Sequence, residues 1–110
     1  MAESAESPLA EAMNRLWAKY LPQMQERVAT LHKVAAGLAD GSLSEEEQHQ
    51  ACEDAHKLAG VLGTFGLQDG TELAREAEAV YGGIVDDNPD LAERLTYIAQ
   101  QLDVMIANRR

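Results

Sequence analysis

Leu91, Leu95, Ile98, Leu102 and Met105 recur at steps of three and four residues, the spacing that lines apolar side chains along one face of an α-helix. The same period runs through most of the chain. Leu9, Met13, Leu16, Trp17 and Tyr20 form one stripe, and Met24, Val28, Leu31, Ala35 and Leu38 a second. Ala51, Ala55, Leu58, Leu62 and Phe65 make a third, and Leu73, Ala77, Val80 and Tyr81 a fourth. No run of useful length alternates with the two-residue period of a strand. Apolar residues are 45% of the chain but aromatics only 5%, so Leu, Ala, Val, Ile and Met must supply the core, which suits packed helices. The expectation is an all-α fold.

Stop and start signals divide the stripes. Ser7-Pro8 opens a helix, since proline at the first helical position gives up only an N–H that would be unpaired anyway. Pro22 interrupts the pattern and separates a short first helix from a longer second one. Ser44 and Glu47 form a capping box, and Asn88-Pro89 opens the last helix. Short connections between long helices predict an up-down antiparallel four-helix bundle, with the short extra N-terminal helix as a lid. With 110 residues there is one domain, 8–110, preceded by a flexible tail over 1–7.

Charge and motifs exclude several functions. A formal net charge of −10 argues against nucleic acid, whose phosphates require Lys and Arg, and against an anionic membrane surface. No phosphate-cradling glycine loop is present, so the chain is not expected to phosphorylate itself from ATP. Glu45, Glu46 and Glu47 are read as capping and helix-dipole residues. Asp86, Asp87 and Asp90 lack the alternating spacing of a calcium loop. His49, Cys52 and His56 share one helix face at metal-ligand spacing, but no fourth ligand is identified and no metal site is assigned. The lone Cys52 cannot close an internal disulfide, MAESAESPLAEAM carries no secretory signal, and no segment approaches ~18 apolar residues, so a cytoplasmic protein is expected.

The third stripe carries the functional signal. At ~100° per residue, His56 falls about 140° from the Ala51/Ala55/Leu58/Leu62 direction, on the solvent side. Gly60 lies almost opposite the core, Gly63 close to His56 in angle, and Ala59 on the His56 flank. Each glycine in a helix interior costs ~1 kcal/mol relative to alanine. Glycines facing outward have a use if another molecule must approach the imidazole; the bland alternative is that they mark an early helix end. A neutral imidazole near pH 7 is nucleophilic and can take a phosphoryl group in line. Phosphoryl transfer passes through a loose transition state, so position and charge compensation suffice.

The segment Ala55-His56-Lys57-Leu58-Ala59-Gly60-Val61-Leu62-Gly63-Thr64-Phe65-Gly66-Leu67 resembles the signature of bacterial histidine phosphotransfer (HPt) domains, in which His-x-Leu-x-Gly leads into a glycine-punctuated turn. Leu16-Trp17 and Pro22 before it, and Leu73-Ala74-Arg75-Glu76 after it, extend the likeness over roughly residues 9–108. The resemblance implies that His56 is the phosphoacceptor and that Gly60 clears space for a partner, with Gly63 and Ala59 beside it. The implied partners are a response-regulator receiver domain, a hybrid histidine kinase, or both. No cofactor is implied for this chain, and Mg2+ is expected on the receiver only. Many members carry a lysine three positions after the histidine; here that position is Ala59 and the lysine is Lys57, the candidate for charge compensation. A neutral or basic patch is expected around His56, with Lys57 joined by Lys33 or Arg27. The rival reading is a helical adaptor that docks a signalling partner and is never phosphorylated.

Overall fold

A computed structural model describes residues 7–86 and 88–109. The expected tail, except Ser7, lies outside these residues, as does Asp87. Four helices are the regular elements among the described residues: α1 (Pro8–Asp40), α2 (Glu45–Thr64), α3 (Gln68–Tyr81) and α4 (Pro89–Asn108). Each packs against two neighbours in a closed ring, α1 on α2 and α4, α3 on α2 and α4, and among the described residues the backbones of diagonal helices do not come together. Two contacts at each interface run in opposite chain directions: Arg27–Asp54 and Lys33–Glu47, His56–Glu78 and Ala59–Thr71, Glu76–Arg94 and Gly70–Met105, Trp17–Arg109 and His32–Asp103. This is an antiparallel up-down bundle.

The helix ends follow the sequence signals. Ser7 accepts the Ala10 N–H at 3.0 Å, and Ser44 and Glu47 complete their reciprocal cap at the start of α2. Asn88 accepts the Asp90 N–H at 2.9 Å to begin α4. The turn from α2 into α3 needs a left-handed residue, and Gly66 supplies it at φ 74° without a Cβ clash. The short turn aims the start of α3 back along α2.

One boundary differs from expectation. Pro22 does not end a short helix: α1 is continuous for 33 residues. The buried positions explain why. Trp17, Met24, Val28, Leu31, Ala35 and Leu38 stay in helical phase across the proline, so a break would turn one half of the stripe away from the bundle. Pro22 is exposed and removes one backbone donor, at a cost of about 3 kcal/mol. Burying Trp17 and Met24 contributes roughly 1.5–3 kcal/mol each, enough to hold the helix together. Trp17 meets the Phe65 ring edge-on at 5.0 Å, and Arg109 lies over both rings. Leu9, expected on the same face, is 72% exposed in the first turn.

The core is aliphatic, as the composition requires. Met24, Leu31, Leu58, Leu62, Ile98, Leu102 and Val28 are its largest fully buried side chains. No described helix is long and apolar enough to cross a membrane.

Candidate functional site

His56 stands on the outer face of α2 with 73% of its side chain exposed, between a cleft against α1 and a cleft against α3. On the α3 side its Nδ1 is 2.8 Å from Glu78 Oε2. A carboxylate can only accept, so Nδ1 carries the hydrogen and donates it. In the neutral ring the lone pair is then on Nε2. Glu78 thus fixes both ring orientation and tautomer, and its charge favours the positive ring that forms as Nε2 attacks an electrophile.

The backbone beneath the ring is held firmly. Thr71 Oγ1 donates to the Ala59 carbonyl at 3.1 Å in a buried contact between α3 and α2. Cys52, one turn before His56, packs its Sγ 3.6 Å from the Glu78 carbonyl. Burial and the carboxylates of Glu78 and Glu53 push the Cys52 thiol pKa up, which keeps it protonated and poorly nucleophilic. His49 lies 3.5 Å from Glu53, and no three His, Cys, Asp or Glu side chains among the described residues are placed to hold a metal.

The glycines lie within the helix, since α2 runs on to Thr64; the early-helix-end alternative is set aside. A Cβ at Gly60 would meet nothing within 4 Å, so the position one turn beyond His56 is open to solvent. Gly63 is exposed as well, and a Cβ there would lie 3.4 Å from Thr71 Oγ1. Ala59 is corrected: it is only 5% exposed and packs into the core. In a bundle α2 is buried against two neighbours, so the buried arc is wider than one stripe.

On the other side, Lys57 shares a cleft of about 430 Å3 with His56, Gly60, Arg27, Tyr20 and Leu16. Arg27 Nε approaches Asp54 Oδ1 at 3.8 Å, and Gln50 donates to the same oxygen at 3.1 Å. Asp54 is a buried carboxylate that no periodicity singles out; it tethers Arg27 beside Lys57. Lys33, the other cation expected in the patch, instead acts on Glu47 at the far end of α2. The two clefts flanking His56 carry Arg27, Lys57 and Arg75 against Glu78, a local surplus of positive charge on a chain of −10.

A family model for the Hpt domain matches residues 15–108, which include the exposed histidine, its glycine and the helix that supplies Glu78. The chain belongs to the Hpt domain family. Protein RcaC of Microchaete diplosiphon is 37% identical over 71 residues, a stretch that covers 64% of this chain and 11% of that protein. No solved structure matches significantly. An Hpt domain is a phosphocarrier of two-component signalling rather than a kinase, and works with response regulators and histidine kinases. The sequence places His56 on an open helix face but does not single out Glu78, which comes from another helix 22 residues away.

Proposed function

We propose that His56 carries the phosphoryl group, accepting it through Nε2 from the aspartyl phosphate of a response-regulator receiver domain and returning it to such an aspartate. The single observation behind this reading is the exposed ring whose Nδ1 is engaged by Glu78, leaving Nε2 free beside the open Gly60 position. In the forward step the Nε2 lone pair attacks phosphorus, the N–P bond forms, and the P–O bond to the aspartate breaks to release its carboxylate. The reverse step restores both. Nδ1 keeps its proton throughout, donating it to Glu78, so no proton need move.

Gly60, with Gly63 further along the same helix, admits the partner's acidic pocket, and Lys57 supplies charge compensation from the α1 side. The apolar side chains of Leu16, Tyr20, Val61 and Phe65 below them offer a docking surface for a partner helix. The reading assigns the Mg2+ to the receiver, and a hybrid histidine kinase is the natural upstream source of phosphate. A cytoplasmic site of action goes with those partners. Incubation with a phosphorylated receiver domain tests the reading: label is expected on wild type and not on His56→Gln. Binding of the receiver without any label on wild type would instead mark a docking adaptor.

A further inference from the structure

Arg75 lines the α2–α3 cleft together with His56, Gly60 and Glu78. It precedes Glu78 by three residues, so the two project from the same face of α3. Three other arginines are committed: Arg94 forms a two-pronged pair with Glu76, Arg109 bonds Asn14 and covers Trp17, and Arg27 pairs with Asp54. Arg75 is exposed and makes no hydrogen bond or ion pair among the described residues. Arg75 thus lines the cleft with its charge uncommitted.

A phosphoryl group on Nε2 adds a charge of about −1.5 to −2 at neutral pH. It arrives in a cleft that already contains the Glu78 carboxylate, so the site that orients the ring also repels the cargo. The cation in the same cleft offsets that repulsion. A planar guanidinium presents paired N–H donors that match two phosphoryl oxygens, which a lysine ammonium cannot do. We infer that Arg75 binds the phosphoryl oxygens of phosphorylated His56 from the α3 side, opposite Lys57. This inference rests on the reading that His56 is the acceptor.

Phosphoramidate provides a test that needs no partner protein. The Nε2 lone pair attacks its phosphorus, the donor's P–N bond breaks, and ammonia leaves, while Nδ1 keeps its proton and donates it to the Glu78 carboxylate. The phosphorus-31 signal on His56 is assigned by its absence in His56→Gln, and its pH titration is followed in wild type, Arg75→Gln and Arg75→Lys. A bound guanidinium favours the dianion. Arg75→Gln is therefore expected to raise the proton affinity of the phosphoryl group about three- to tenfold, with Arg75→Lys in between; the modest size allows for solvent screening. A purely structural role would leave that titration unmoved. An Arg75→Gln titration superimposable on wild type overturns the inference while leaving His56 as acceptor. Failure of wild type to label at His56, with His32 or His49 labelled, overturns the acceptor reading itself and this inference with it.

Discussion

Glu78 Oε2 reaches His56 Nδ1 at 2.8 Å from the neighbouring helix, so the tautomer of His56 is set by α3 and not by the helix that carries the histidine. Replacing Glu78 by Ala should leave the bundle folded but let the ring rotate and change tautomer. Phosphoryl transfer from a phosphorylated receiver is expected to slow by about ten- to a hundredfold. Glu78→Gln can still accept from Nδ1–H through its amide oxygen while losing the charge, so it should fall between. Nitrogen-15 NMR of the ring should report the Nδ1–H form in wild type and a mixture in Glu78→Ala. Equal transfer rates in all three proteins would remove Glu78 from the mechanism.

Gly60 separates folding from function. Because a Cβ there meets nothing, Gly60→Ala should gain helix propensity without a clash and stabilise the bundle by about 0.5–1 kcal/mol. Transfer to a receiver should nonetheless fall, and fall further with Gly60→Leu, because the obstruction acts only when the partner approaches. Urea unfolding and transfer rates measured on the same samples check this. A variant both more stable and equally fast would mean the open position serves no partner.

The Arg94 fork lowers the Glu76 carboxyl below its usual range, chiefly by hydrogen bonding. A carboxylate whose folded pKa is depressed contributes stability above its unfolded pKa, and that contribution disappears as pH falls through the folded value. Loss of stability from this pair is therefore expected below about pH 4.5, the ordinary Glu value. The pair is over a third exposed, so solvent screening keeps its contribution small. Comparing wild type with Glu76→Gln, the difference in urea midpoint present at pH 7 should shrink toward pH 3. A difference that persists there would show that packing, not charge, is what the substitution removes.

What the sequence made legible was local. The Ser44–Glu47 box, the Asn88 cap and the outward angle of His56 each depend on residues within one or two turns, where helical geometry leaves little freedom. Ala59 was misplaced for a definite reason. It sits on the α3 edge of the α2 stripe, as Asp54 sits on the α1 edge, and a single apolar direction cannot show that a bundle helix is buried on both flanks. Glu78, Arg75 and Asp54 acquire their roles only when two helices meet, and nothing in their own segments distinguishes them from surface charges.

Pro22 offers the sharpest test of the packing argument. Read from propensity alone, proline within a helical stretch divides it; in the structure α1 continues because Trp17 and Met24 keep their phase on either side. If burial is what overrides the proline, replacing it should restore a backbone hydrogen bond to the Ala18 carbonyl with nothing lost from the core, since Pro22 is exposed. Pro22→Ala is expected to stabilise the bundle by about 1–3 kcal/mol, less than the full proline penalty because the helix has already relaxed around the ring. For a domain of this size that is a rise in Tm of roughly 4 °C or more. The companion variant Trp17→Ala should destabilise by about 3–5 kcal/mol, since the indole packs against Phe65 and anchors the segment before the proline. If instead Pro22→Ala lowers Tm, the two halves of α1 are set at an angle that the bundle needs, and the proline is part of the packing rather than a defect tolerated by it.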